Sequence, residues 1–391
     1  MREDDVVIVG MARTPMGGLL GELAHHSASD LGAVAVKAAV AQAGVDGAAI
    51  DQILMGNVLS AGQGQAPARQ AALKAGLPNS VQATTLNKMC GSGLQAVLQA
   101  RQAIATGEAD VIVVGGMESM TQAPFLMTDH RRGAKYGHGK IIDHMAYDGL
   151  EDAYERQAMG VYADMIAKEY QFTREAQDAY ALETLARAQA ATAEGRFARE
   201  IAPAPGAGKD AAIAVDELPR KARPEKIPQL KPAFGKDGTV TAANASAISD
   251  GAAALVLMRA GDAQAQGRPA LARIVASAAH AHEPAYFTTA PVPAIRKALA
   301  RANWSVDDVD LWEINEAFAV VPMIAMAELG VSHAQLNVNG GACALGHPIG
   351  ASGARVLITL IAALEARGLK KGVAALCIGG GEGIAMAVER V

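Results

Sequence analysis

Cysteine is scarce in this chain, with three in 391 residues, at positions 90, 343 and 377. An odd number so widely spaced gives no disulfide framework, and no His or Cys pair has zinc-site spacing. Aromatic residues make up 4% and charged residues 19%, with a net charge of −5. A nucleic-acid protein concentrates positive charge, so that class is set aside. No apolar run reaches the length of a membrane span. The acidic start, Met1-Arg2-Glu3-Asp4-Asp5, lacks the basic flank of a signal peptide. These absences lead to the expectation of a reducing cytoplasm, without membrane or nucleic-acid partners.

What is plentiful is apolar surface, 51% of residues, enough for a large core and two or three domains. Val6-Val7-Ile8-Val9 reads as a short buried strand ending at Gly10, and Leu31 to Ala43 as a helix stopped by Gly44. Ile53-Leu54-Met55 and Val111-Ile112-Val113-Val114 read as further strands. Short apolar strands alternating with helices predict an α/β protein with a mainly parallel sheet covered on its faces.

The C-terminal third repeats this plan. Residues 35–40 (AVKAAV) stand beside 294–299 (AIRKAL). At the same offset, Asp51-Gln52-Ile53-Leu54 stands beside Asp310-Leu311-Trp312-Glu313. Gly91-Ser92-Gly93 matches Ala351-Ser352-Gly353 with a shift of one, and 111–116 loosely answers 374–380. Two halves of one design are expected to pack face to face with a site between them.

Between the halves, from Thr121 to Ser249, the texture changes. Arg131 to Gly149 is polar and glycine-rich, suiting an exposed loop or an assembly contact. Helices are predicted over Ala153 to Tyr170 and from a Thr173 cap to near Gly195. Prolines crowd the stretch from Pro203 to Pro232, which predicts an irregular, extended piece. Its basic residues Arg220, Lys221, Arg223 and Lys226 suit either a solvated face or contact with a phosphate-bearing ligand. The expected organisation is an N-terminal half (1–120), an inserted loop domain (121–249), a last N-half strand with linker (250–270) and a C-terminal half (271–391).

Residues 87–97 (NKMCGSGLQAV) read as a strand end, a tight turn and a helix start. Cys90 at that helix N-terminus faces unpaired N–H groups and the positive dipole end, so its thiol is expected to ionise readily. A buried structural cysteine is the plainer reading. Three more turns, Glu313 to Phe318, Gly346 to Gly353 and Cys377 to Gly383, fall at strand ends, where open α/β sheets bind ligands. Together the turns offer a nucleophile, a base, a second thiol as acid/base, and a carboxamide donor.

Cys90-Gly91-Ser92, Asn315-Glu316-Ala317-Phe318, Gly346-His347-Pro348 and Cys377-Ile378-Gly379 resemble, in order and spacing, the motifs of the thiolase family. The resemblance is to the acetyl-CoA acetyltransferase kind and covers essentially the whole chain. It implies a thiolase fold, a five-layered α-β-α-β-α core from two similar halves with an inserted loop domain. It also implies a homotetramer, a dimer of dimers, with Arg131 to Leu150 similar to the tetramerisation loop. By resemblance, Cys90 carries the acyl group, His347 takes its proton, and Cys377 is acid/base for the second substrate. One oxyanion site falls to His347 with a water held by Asn315, the other to the backbone N–H groups of Cys90 and Gly379. The substrates implied are acetyl-CoA, acetoacetyl-CoA and CoA, with no metal and no cofactor beyond CoA itself. Family matches place Arg220, Phe234, Ser246 and Phe318 along CoA, and Met159 and Phe287 at the acyl pocket. A broader 3-ketoacyl-CoA thiolase of fatty-acid breakdown is the neighbouring reading. A non-catalytic CoA-binding scaffold is the reading from another class, against which the intact motifs speak.

Three positions depart from the family pattern. Ala158 stands where short-chain members often carry histidine. Phe287 opens Phe-Thr-Thr-Ala-Pro where many have Met-Gly-x-Gly-Pro, either shortening the pocket or reshaping it for a branched acyl group. Glu382 takes a slot commonly Met or Gln, and pointed inward it would raise the pKa of Cys377. Cys343 matches no catalytic position and reads as packing.

Overall fold

The computed structural model describes residues 1–206 and 211–391; residues 207–210, within the proline-rich stretch, lie outside the described residues. Strand β1 (Val6–Arg13) continues past its expected stop at Gly10. Glycine serves there because of α1 (Ala28–Ala43): a Cβ on Gly10 would lie 2.3 Å from the Ala39 carbonyl oxygen. Ser27 and Asp30 cap α1 reciprocally, and Gly44 ends it in the left-handed region at φ 62. Then come β2 (Gln52–Gly56), β3 (Gln82–Leu86), α2 (Ser92–Thr106) and β4 (Val111–Ser119). The insertion holds α3 (Met159–Glu169) and α4 (Arg174–Ala193) before the chain returns as β5 (Ser249–Arg259). The second half runs β6 (Ala272–Ala281), α5 (Pro291–Ala302), β7 (Leu311–Ile314), α6 (Val320–Leu329), α7 (Ser352–Arg367), β8 (Lys371–Ile378) and β9 (Glu382–Arg390).

These nine strands form one hydrogen-bonded path, β7-β8-β9-β6-β1-β5-β4-β2-β3. The order β1-β5-β4-β2 in one half is answered by β6-β9-β8-β7 in the other. The repeat extends to single bonds. Asp51 Oδ2 accepts the N–H groups of Asp110 and Val111, and Asp310 Oδ2 accepts those of Lys370 and Lys371. Each carboxylate thus pins the start of the strand beside it.

The sheet is mixed, not mainly parallel. Pairs β2–β3, β2–β4 and β7–β8 are parallel, whereas β1–β5, β4–β5, β6–β9 and β8–β9 are antiparallel. Two-sided burial makes a strand uniformly apolar whichever way it runs, so its pattern carries no direction. The halves also do more than face each other. They join edge to edge through β1 and β6, at Val7 with Arg273 and Ile8 with Ala272. Between them α2 and α7 pack on each other and on strands of both halves. The meeting is close: a Cβ on Gly353 would lie 2.3 Å from the Leu94 nitrogen. With α1 outside one half and α5 outside the other, the layers alternate helix, sheet, helix, sheet, helix.

In the insertion, the helix predicted from Ala153 starts only at Met159. Asp152 binds the N–H groups of Tyr154 and Glu155 in a local turn, and Arg156 sits at φ 55. α4 begins at its Thr173 cap as read. The proline-rich piece is less extended than expected, with a short helix Glu217–Lys221 and a 3₁₀ stretch Pro224–Gln229. Phe125–Leu126 pairs with Ile142–Asp143 as a stem for residues 127–141, all exposed.

Candidate active site

The Cys90 turn is built from its own backbone. Met89 adopts φ 46, its N–H bonds the Asn87 side chain at 2.9 Å, and the Gly91 and Ser92 N–H groups bond the Lys88 and Met89 carbonyls. Those bonds occupy donors that a bare helix start would offer an anion. Gly91 lies against the Cys377 turn, since a Cβ there would sit 2.4 Å from Ile378 Cδ1. The backbone N–H groups of Gly379 and of Cys90 itself bond the Cys90 sulfur and lower its pKa. Burial outweighs them and, with Glu118 nearby, pushes the thiol from 9.0 up to about 11. The expectation of a readily ionised Cys90 is therefore corrected: at rest it is a neutral thiol, because enclosure costs the thiolate more than its two donors return.

His347 is 6% exposed. Its Nδ1 lies 2.6 Å from Ser352 Oγ, whose own hydrogen goes to the Pro348 carbonyl at 2.9 Å. Nδ1 must then carry the ring hydrogen, which leaves Nε2 as a bare lone pair, buried and without a partner among the described residues. Burial, and then the charge of Arg355, lower the ring from 6.5 to about 3. It is a neutral imidazole at pH 7, poised to accept.

Asn315 is oriented from behind. Arg355 bonds Glu313 Oε1 at 2.7 Å and Asn315 Oδ1 at 3.4 Å. Arginine only donates, so the amide oxygen faces Arg355 and Nδ2 lies 3.5 Å from His347 Nδ1. Both nitrogens are donors, which leaves the amide for a third group such as a substrate oxygen or water. Cys377, at the end of β8, is 1% exposed. Burial and then Cys90 push its thiol well above 9.0, so the two sulfurs act on one another.

Two carboxylates, Glu118 and Glu316, were given no role in the sequence reading. Glu118 accepts from Asn57 Nδ2 (2.8 Å), the Val58 and Leu59 N–H groups (3.0 and 3.1 Å) and the Gly350 N–H (2.9 Å). It thereby ties the end of β2 to the His347 turn. Glu316 accepts from Tyr180, Thr184, Asn337 and the Cys343 N–H, fixing the turn that bears Asn315. Half-buried Cys343 packs beside it. The available signal for Glu118 was a charge at the end of a fully apolar strand, and for Ser352 a hydroxyl in the first turn of the helix after His347.

Around the sulfurs, the Met159 and Met89 methyls lie 3.7 and 4.0 Å from where a Gly379 Cβ would be. Met89 had not been singled out. The Phe318 ring meets Phe287 and Phe234 edge-on, at centroid distances of 6.2 and 6.0 Å. Phe234 lies on Gly160 of α3, where a Cβ would come within 2.2 Å of its ring. Half-buried Ser246 bonds the Ala317 carbonyl through its N–H, next to Phe318. Arg220 is on the surface, paired with Glu22 at 2.8 Å. Glu382 does not raise Cys377; it turns to Lys88 and forms an ion pair there.

The duplicated scaffold agrees with what comparison finds. Residues 6–261 match the thiolase N-terminal domain and 268–390 the thiolase C-terminal domain. Acetyl-CoA acetyltransferases of Pseudomonas aeruginosa and Cupriavidus necator are each 49% identical over 390 residues, 99% of both chains. The crystal structure of Acat5 thiolase from Ascaris suum in complex with coenzyme A superposes with a TM-score of 0.94 at 41% identity, covering 99% of this chain and 100% of that one. The Bacillus anthracis acetyl-CoA acetyltransferase gives 0.96 at 39% identity, with 99% of each chain covered. With both halves matched across nearly their whole length, the chain belongs to the thiolase family.

Proposed function

We propose that the chain is an acetyl-CoA C-acetyltransferase, condensing two acetyl-CoA to acetoacetyl-CoA and CoA, or cleaving acetoacetyl-CoA by thiolysis. The observation that carries this is the Cys90 turn seated on the Cys377 turn, Gly91 against Ile378, with Cys90 close enough to act on Cys377 and to feel the Gly379 N–H. Because Cys90 rests neutral, its attack on the thioester carbonyl is coupled to proton transfer to His347 Nε2. The carbonyl oxygen gains charge against the Cys90 and Gly379 N–H groups, the C–S bond to CoA breaks, and the CoA thiolate takes the Cys377 proton and leaves. Cys377, now a thiolate, takes a proton from the methyl of a second acetyl-CoA, whose enolate oxygen accepts from Asn315 Nδ2 and from His347, still protonated at Nε2. The carbanion attacks the acetyl-Cys90 carbonyl, and the expelled Cys90 sulfur recovers its proton from His347.

In this reading CoA runs past Phe234, Phe318 and Ser246 towards Arg220, and no metal or cofactor beyond CoA takes part. The Phe287–Phe318 wall beside Met159 supports short acyl groups. The exposed 127–141 hairpin supports a homotetramer, and we read the enzyme as cytoplasmic and part of acyl-CoA metabolism.

The test is mass spectrometry of the protein after incubation with acetyl-CoA. Cys90→Ser is expected to abolish the acetyl adduct, whereas Cys377→Ala acetylates but does not condense. An adduct that persists without Cys90 would refute the assignment. Rates on acetoacetyl-CoA and on a long-chain 3-ketoacyl-CoA separate the short-chain enzyme from the broad thiolase; preference for the long chain overturns the former.

A further inference from the structure

Lys88 and Glu382 lie 294 positions apart in sequence, one before the nucleophile and one after the glycines that follow Cys377. They meet as an ion pair across the seam between the halves, with side chains only 24% and 35% exposed. Lys88 is built into the Cys90 turn. Its N–H bonds Ser92 Oγ at 2.8 Å and its carbonyl accepts the Gly91 N–H at 3.1 Å. Glu382 opens β9, paired with Ile378 on one side and Ala281 on the other, so it moves with the hairpin that carries Gly379.

We infer that Lys88 and Glu382 are a positioning pair that sets how far the Gly379 N–H stands from the Cys90 sulfur. The inference rests on the acyl-transfer reading and adds residues that touch no reacting atom. The packing at this point is apolar: Gly91 lies against Ile378 and Ile384, a contact that fixes a minimum separation but not a maximum. A charged pair with one partner on each turn supplies the missing restraint. It matters because a donor aimed at a developing oxyanion loses its effect over fractions of an ångström. The pair also keeps the Lys88 cation occupied by Glu382.

The experiment measures Cys90 acetylation by rapid quench and mass spectrometry in the full-length enzyme, with KM for acetyl-CoA and Tm alongside. Lys88→Met and Glu382→Met are each expected to slow acetylation on the order of ten-fold, as a partial loss of one oxyanion donor whose full removal costs a hundred- to a thousand-fold. KM should hold. The double variant should be no slower than either single one, and the exchange Lys88→Glu with Glu382→Lys should restore most of the rate. Single variants at the parental rate, losses that multiply in the double variant, or losses that track Tm alone would each overturn the pair's role. Absence of acetyl-Cys90 in the parent enzyme would instead refute the acyl-transfer reading, so the two failures are distinct.

Discussion

At the scale of residues, the site is a set of polarities settled by burial. His347 owes its bare Nε2 to Ser352, whose hydroxyl has only its oxygen left for the ring. Replacing Ser352 by alanine should free the tautomer and lower kcat/KM on the order of ten- to a hundred-fold, less than loss of a general base. An unchanged circular dichroism spectrum with unchanged kcat/KM would contradict this. Cys90 gives a pH prediction. With its pKa raised from 9.0 to about 11, the thiolate fraction keeps rising about ten-fold per unit through pH 10. Iodoacetamide labelling of Cys90 should follow that rise, and a plateau by pH 8 would contradict the enclosure argument. Cys90, His347, Asn315 and Cys377 stood out as candidates because each stands in a short motif. The neutrality of the thiol was not legible, since it depends on neighbours such as Glu118 that arrive from other strands.

At the scale of elements, glycines hold the turns together, and their neighbours decide what a side chain would cost. A Cβ on Gly116 in β4 would stand 1.9 Å from the Gly350 carbonyl oxygen, a backbone atom that cannot swing away. Gly116→Ala should lower stability by about 1–3 kcal/mol or more, read as a fall in Tm. At Gly91 the obstacle is the far end of Ile378, which can rotate. Gly91→Ala should therefore reduce acetylation more than it reduces Tm; the reverse ranking would show that this contact serves folding instead. The sequence reading placed the end of α1 at Gly44 and the start of α4 at Thr173 because caps are local chemistry. It mistook strand direction and started α3 too early, because direction comes from pairing and the Asp152 turn interrupts an otherwise helical pattern.

At the scale of the whole molecule, the internal repeat was the most informative feature of the sequence, and Asp51 and Asp310 show how faithfully it is kept. What the repeat left unstated was the joint between its copies. The apolar face of the exposed hairpin also makes a prediction: Phe125, Met127, Tyr136 and Ile141 are solvent-facing in a single chain. Replacing residues 127–141 by a two-residue turn should give dimers by light scattering while acetylation of Cys90 continues. Tetramers surviving the deletion would move the assembly contact elsewhere.

The β1–β6 seam has a further meaning for how such a chain can be taken apart. One sulfur belongs to each duplicate, so a cut in the linker near residue 268 would yield two pieces of comparable design and no competence in either. Only recombined, with the Val7–Arg273 pairing re-formed, would they regain turnover. The two like frameworks divide the labour, so each depends on the other.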